Sequence, residues 1–427
     1  MKNATRAFLL LVCISFTYLG CTPEEIPTTE VQAPIPTQTV PPTIESFSPQ
    51  SAFAGEQVTI NGTGFGQLPI GIQVFFGDVE AQVVSASSTK IVVVVPEGAE
   101  EEKIQVKAEG GQAFTDEAFT VFDFDMYIVG SNAQIWKNNI LQESIAIPSN
   151  PILNGIQSLE NDIYLLGTNN NQIGVWKNQE PLPIDLDVFS NSSSEDIFVS
   201  EMEVAIVGRG VINGTLRGTL WRGSNSQTLP VAFVGEASTE FSAIAINHGS
   251  TFIVGRTNVF NSSSSSPTVW VNNTSFPLPL PITENKGGKT EDIAIANNGT
   301  EYIVGKVFSN KPIIWINREL NVLPLPGGLT PVFMEITAVT VDENGNYYVI
   351  GYVNDSDGVI KAVIWKNGIF SFLSNDIDSF SLANDVTVFR DDIYVVGTIG
   401  GQAVVWKNGE PTYLGAGRAN AIAITEK

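Results

Sequence analysis

Basic side chains are scarce in this chain: 22 lysines and arginines stand against 45 aspartates and glutamates, and nothing clusters them in the sequence. Without a basic stripe there is nothing to neutralise a phosphate backbone, so nucleic acid is excluded as a partner. Histidine occurs once, at His248, and cysteine twice. Those counts exclude zinc sites, Cys/His nucleophile pairs and a disulfide framework. Charge of either sign is low, at 16% of 427 residues, whereas glycine (38) and proline (23) are plentiful. With 43% hydrophobic residues, this is the composition of a turn-rich all-β protein. At roughly 100 to 200 residues per domain, the length predicts more than one.

The N-terminal apolar run, residues 7–19, has 13 residues and is too short to span a bilayer. Preceded by Lys2 and Arg6, it predicts a secretory signal over residues 1–20. It ends in Tyr18-Leu19-Gly20-Cys21, and a small residue directly before cysteine resembles the lipobox of bacterial lipoproteins. Tyr18 departs from that motif, which usually has leucine there. The resemblance implies that Cys21 is lipidated and becomes the new N-terminus, with Cys13 lost in the removed segment. Removal of Lys2 and Arg6 moves the formal charge from −23 to −25, so acyl chains rather than electrostatics would hold the protein on a membrane. Residues 21–41 are rich in proline and threonine and predict an extended tether. Glu24, Glu25 and Glu30 there resemble the surface-export signals of some outer-membrane lipoproteins. The expected address is the outer membrane, lipid-anchored and facing the cell exterior.

Residues 42–122 alternate apolar and polar positions in short runs at 57–60, 73–76, 81–84, 91–95, 104–107 and 118–121. This pattern predicts a small β-sandwich. Pro42-Thr43-Ile44-Glu45-Ser46-Phe47-Ser48-Pro49, Ile60-Asn61-Gly62-Thr63-Gly64-Phe65 and Val74-Phe75-Phe76-Gly77 resemble an IPT/TIG immunoglobulin-like domain. That family implies a spacer or binding module without catalysis. Gly62-Thr63-Gly64-Phe65-Gly66 is not a nucleotide loop, because no helix follows to receive a phosphate. It predicts a turn.

Residues 123–427 hold all seven tryptophans, each in the same setting: an apolar strand ending in glycine, a loop, then a strand ending in tryptophan. Gly130, Gly167, Gly208, Gly255, Gly305, Gly351 and Gly397 are spaced by 37, 41, 47, 50, 46 and 46 residues. A period in the forties with four short strands per unit predicts a seven-bladed β-propeller. Units two to seven each follow a strand of small and apolar residues, such as Ala243-Ile244-Ala245-Ile246. The first unit lacks one, and Ala419-Asn420-Ala421-Ile422-Ala423-Ile424 at the end of the sequence supplies it. The C-terminal strand is therefore expected to close the ring. Ala403-Val404-Val405-Trp406-Lys407-Asn408-Gly409 with Tyr413-Leu414-Gly415 resembles the HAF-type and related tryptophan-containing repeats of extracellular bacterial proteins. That resemblance implies a propeller-like extracellular module.

The tryptophans are expected to pack between blades rather than to form a sugar platform. Asn367-Gly368 and Asn408-Gly409 predict type I′ hairpin turns, and Lys137-Asn138, Lys177-Asn178 and Asn272-Asn273 weaker forms of the same turn. His248 is expected in a solvated turn. Ser262 to Ser266 predicts a flexible loop. Asn354-Asp355-Ser356-Asp357-Gly358 has the composition of a calcium loop but lacks the closing glutamate, which favours a turn.

The candidate ligand-binding residues are Asp196, Glu291, Asp292, Asn384, Asp385 and Asn420, with Glu195 beside them. They lie at the innermost strands and are expected to converge on one mouth of the channel. There they would hold a cation or a polyhydroxyl ligand, or else bond to loop backbone. No motif implies a cofactor, and no catalytic or metal-binding residue is assigned. The function expected is non-catalytic display of the propeller for a polysaccharide or an envelope protein. A carboxylate-based glycan hydrolase or lyase and a periplasmic protein scaffold are the alternatives.

Overall fold

The computed structural model describes residues 40–426 apart from 143–150, 161, 170–171, 187–188, 190, 224, 230–235, 260–264, 282–286, 309, 328, 330, 355–357 and 374–379. The signal, Cys21 and the tether lie outside the described residues, as do the centre of the 354–358 segment and most of the serine run. Among the described residues no helix is long and apolar enough to cross a membrane.

The N-terminal unit is a sandwich of eight strands, from Thr43–Ser48 to Gly111–Val121. Val79–Ala86 joins its two layers. Its first residues pair with Gln73–Phe76 and its last with Lys90–Val94, across a register shift between Val83 and Ser85. Alternate residues (Val58 and Ile60, Ile91 and Val93, Ile104 and Val106) point inward and are fully buried with Phe76 and Phe119.

The rest of the chain forms seven four-stranded antiparallel blades. Blade 1 comprises Phe124–Gly130, Ile135–Lys137 and Ile140–Leu141, with Ala419–Glu426 as its innermost strand. The expected closure is therefore present: Ala421 pairs with Val129 and Ile424 with Met126. The innermost strands of blades 2 to 7 are Ile152–Leu159, Ser192–Val199, Glu236–Asn247, Gly288–Ile295, Phe333–Val341 and Ser381–Phe389.

Every innermost strand carries a β-bulge at the same place. The extra residues are Asn154, Glu195, Ser242, Glu291, Thr337, Asn384 and, in blade 1, Asn420. The bulge explains the repeated glycines. A Cβ at Gly130, Gly167, Gly208, Gly255, Gly305, Gly351 or Gly397 would collide with the carbonyl oxygen of Arg418, Ile152, Ser193, Glu240, Lys289, Glu335 or Leu382, respectively. These glycines were expected to end the second strand, but only Gly130 does. In blades 2 to 7 the strand continues past the glycine, as in Val204–Ile212, because the residue is needed for close approach and not as a stop.

All seven tryptophans are buried, at 0–6% exposure, and sit on the third strands. In Trp136, Trp221, Trp315 and Trp365 the indole N–H fastens the blade to the one before it, whereas among the described residues the buried Trp406 N–H has no partner. Trp136 donates to the Leu414 carbonyl at 3.0 Å, Trp315 to Pro279 at 2.8 Å and Trp365 to Pro324 at 2.7 Å. The asparagine turns lie on the opposite face from the bulges. Asn367 and Gly368 have φ of 49° and 78°, and Asn408 and Gly409 of 53° and 91°, as type I′ turns require. The Asn408 side chain also accepts the Ile393 amide at 2.9 Å, tying the turn to the second strand.

The sandwich docks on that turn-bearing face, at blades 1 and 7. The Phe53 ring packs against Phe122 and Phe124, with centroids 4.6 and 5.1 Å apart, and Phe124 reaches Phe389 at 4.7 Å. Asn139 of a blade 1 turn donates to Glu56 at 2.8 Å, and Arg390 pairs with Asp123 at 2.9 Å. Val40 and Pro41 lie at the other end of the sandwich, against Gly110 and Gly64. The seven-residue strand Gln57–Thr63 separates the two ends by about 20 Å.

Candidate ligand site at the propeller mouth

The seven bulges form a ring at the mouth away from the sandwich. Five of them turn a side chain to a carbonyl of the next blade. Asn154 donates to the Ser194 carbonyl at 2.9 Å, Ser242 to Thr290 at 2.8 Å, Thr337 to Ala383 at 3.0 Å, Asn384 to Ala419 at 2.6 Å and Asn420 to Leu153 at 2.7 Å. The remaining two places hold Glu195 and Glu291. These two turn to cations instead, Glu195 to Arg209 at 3.7 Å and Glu291 to Lys289.

The residue after each bulge is aspartate in alternate blades. Asp196 accepts the amides of Ile197 at 2.7 Å and, in the next blade, Ile244 at 2.9 Å. Asp292 does the same for Ile293 and Val339, both at 2.7 Å, and Asp385 for Val386 at 2.8 Å and Ile422 at 2.9 Å. Three carboxylates thus clasp blades 3 to 4, 5 to 6 and 7 to 1. Seven is odd, so one blade is left over. Ile156 of blade 2 follows Gly155, and the preceding blade offers Ala421, so among the described residues no carboxylate clasps its amide.

The structure brings all six candidate residues to the rim of one channel cavity of about 370 Å³. Five of them make backbone bonds around the ring, as the three aspartates and two asparagines above show; Glu291 turns toward Lys289 instead. Burial pushes the aspartates up despite their amide donors: Asp196 to about 7, Asp385 to about 6, and Asp292, which also feels Asp196, well above the ordinary range. Among the described residues no group of three or more His, Cys, Asp or Glu is placed to hold a metal ion.

Next to the channel, over blades 3 to 6, lies a second cavity of about 490 Å³ lined by Glu195, Arg209, Glu240, Arg256, Lys289, Glu291 and Lys306. Arg256 grips Glu240 through Nε at 3.0 Å and Nη2 at 2.8 Å, and Arg209 Nη1 reaches the other Glu240 oxygen at 2.7 Å. Lys289 and Lys306 both pair with Glu335 of blade 6. Although burial opposes it, these cations hold Glu240 and Glu335 below the ordinary carboxylate range. Burial instead raises Glu195, and takes Glu291 to about 7. Phe308 lines the cavity, and Phe333 and Tyr352 stand beside it, 6.1 Å apart, with Lys306 over the Phe333 ring at 5.2 Å.

Sequence reasoning missed these basic residues, yet a signal for them existed. Aligning the repeats on their glycines puts Ser131, Thr168, Arg209, Arg256, Lys306, Tyr352 and Thr398 in one column. Three consecutive cations in a chain poor in basic residues mark one side of the mouth. His248 lies in an exposed turn, with φ of 47°.

Comparison with known proteins identifies the first unit. Residues 42–121 form an IPT/TIG domain. No curated protein matches the chain. Solved structures similar to it include two auxiliary nutrient binding proteins. The one from Bacteroides ovatus ATCC 8483 is 14% identical, with 84% of this chain and 96% of that chain covered and a TM-score of 0.40. The one from Bacteroides thetaiotaomicron VPI-5482 is 13% identical, with 90% and 93% covered and a TM-score of 0.32. A putative phosphatase from Bacteroides thetaiotaomicron VPI-5482 is 12% identical, with 91% and 98% covered and a TM-score of 0.38.

Proposed function

We propose that the chain is a non-catalytic cell-envelope lipoprotein that presents the mouth of its propeller to a polysaccharide. The observation that supports this most is the position of the polar, charged mouth on the face opposite the IPT/TIG domain. The chain enters that domain at its far end, beside Val40 and Pro41. A lipid on Cys21 and a tether over residues 22–41 would then leave the mouth pointing away from the membrane. Concave polar surface flanked by aromatic rings suits a sugar, whose hydroxyls take hydrogen bonds and whose C–H faces take rings.

Affinity gel electrophoresis of the purified protein against a polysaccharide panel tests binding, and retardation by one class of glycan is expected. Fatty-acid labelling of the wild type and of Cys21→Ala tests the anchor, and protease added to intact cells tests the outward face. If no glycan retards a folded protein while a protein partner is captured on the propeller, the scaffold reading takes its place. A glycan hydrolase at the same mouth is a second reading, favoured by Glu291, the carboxyl that burial takes to about 7, as a general acid would need. New reducing ends released from the retarding glycan would establish it.

A further inference from the structure

In five of seven blades the bulge residue is a neutral donor that closes a bond to the next blade. Glu195 and Glu291 give up that bond, and they do so on the same cavity, the one where Arg209, Arg256, Lys289 and Lys306 gather. A fold that breaks its own repeat rule twice at one place does so at a cost in stability, which points to function there.

We propose that this cavity over blades 3 to 6 binds an acidic sugar residue of a polysaccharide. The sugar's carboxylate or sulfate meets Arg209 and Lys289, and its hydroxyls meet Glu195 and Glu291. The proposal rests on the polysaccharide reading and deepens it. Arg209 is the cation with most to offer. Its side chain is 42% exposed, with Nε bonded to Ser193 at 3.1 Å and 3.7 Å from Glu195, and Nη1 on Glu240 at 2.7 Å. Arg256 is taken up in its paired bonds to Glu240, and Lys306 is bound to Glu335 and, at 3.2 Å, to the Met334 carbonyl. The four cations face four carboxylates, Glu195, Glu240, Glu291 and Glu335, so their charges balance across the cavity. In a chain of net charge −23, a cavity with as many cations as carboxylates is where an anionic group meets less repulsion than elsewhere on the surface. Phe308 and the Phe333 and Tyr352 pair supply apolar faces for the ring. A hydroxyl that accepts from a cation and donates to a carboxylate satisfies both neighbours at once.

The purified protein is run against polygalacturonate, alginate and chondroitin sulfate, and against dextran, xylan and laminarin as neutral polymers. Retardation by an acidic polymer is expected, weakening with added salt. Arg209→Gln should lower the affinity about tenfold through loss of a charge-assisted bond. Glu195→Asn and Glu291→Asn each restore a ring donor and remove a buried carboxyl. They should raise Tm while weakening binding, an opposition of signs that a merely structural role would not produce. Binding of neutral polymers only, untouched by Arg209→Gln, would overturn the acidic-sugar site and leave the polysaccharide reading standing. Acidic polymers that bind all variants alike would place the site elsewhere. A lower Tm for both asparagine variants would remove the argument from the broken ring, and no retardation of a folded protein by any polymer would sink both readings.

Discussion

At the scale of single residues, the three aspartates of the ring show how one side chain serves two blades and what that costs. Each spends its two oxygens on amides that would otherwise face the channel, and each is buried enough for its proton affinity to rise, Asp196 to about 7 and Asp385 to about 6. The unfolded chain titrates these groups near the ordinary carboxylate value of about 4. Between that value and the folded one the native state holds more protons, so stability falls as pH rises through the window. Glu240 and Glu335 act in the opposite sense: their contribution is present at higher pH and is lost on acidification below about 4. Thermal melts from pH 4 to 8 should therefore peak near pH 5 and decline toward pH 8; a flat or rising profile between 5 and 8 would mean the aspartates are not buried as charges. Asp385→Ala removes the acceptor for Val386 and Ile422 and should cost about 1–3 kcal/mol for each amide left without a partner. Glu410→Ala, on an exposed outer strand, serves as the near-neutral control. A loss no larger for Asp385→Ala than for the control would show that water replaces the clasp.

At the scale of elements, the closing strand decides whether the ring is one object. Ala419–Glu426 pairs with Phe124–Gly130, so the first and last segments of the propeller share blade 1. Because the Ile422 amide turns to Asp385, alternation turns the Ala423 amide toward the neighbouring strand, where a proline would delete a ladder bond and clash. Ala423→Pro should open blade 1, lower Tm sharply and make the propeller sensitive to limited proteolysis, while Glu426→Pro at the strand end should do much less. Equal effects would show that closure does not depend on this pairing. The closure was legible in the sequence, since the first repeat lacks an inner strand and the chain ends with one. So were the blade count, from seven glycines and tryptophans, and the turns, from Asn-Gly pairs whose positive φ has few substitutes. The bulges were not legible. A bulge is one residue of excess between two paired strands, and a single strand read alone does not reveal how its partner counts. The bonds that Asp196, Asp292 and Asp385 make between blades were hidden for that reason. Their position at the mouth was foreseeable, but one of the two amides each accepts comes from a strand dozens of residues away. Glu195 and Glu291 gained meaning only when five neutral donors were seen in the equivalent places.

At the scale of the whole molecule, the joint between the two units determines where the mouth points. Only residues 122 and 123 separate the last sandwich strand, Gly111–Val121, from the first propeller strand, Phe124–Gly130. That short link is locked by the cluster of Phe53, Phe122, Phe124 and Phe389, with Lys407 over the Phe122 ring at 4.4 Å and Asn139 bonded to Glu56. Phe53 is 1% exposed although it belongs to the smaller unit, so its burial depends on the propeller being in place. An IPT/TIG domain of about 80 residues buries a smaller share of its surface than the propeller and gains from that shared core. Phe53→Ala should therefore cost about 3–5 kcal/mol, the range for a truncated core aromatic, and most of it should appear as loss of coupling. The wild type should melt in one transition, whereas the variant should show an early transition of the sandwich followed by that of an intact propeller. Glycan retardation should survive the substitution, because the mouth lies on the opposite face. If retardation is lost while the propeller transition is unmoved, the sandwich itself takes part in binding and the outward-facing mouth is not the site.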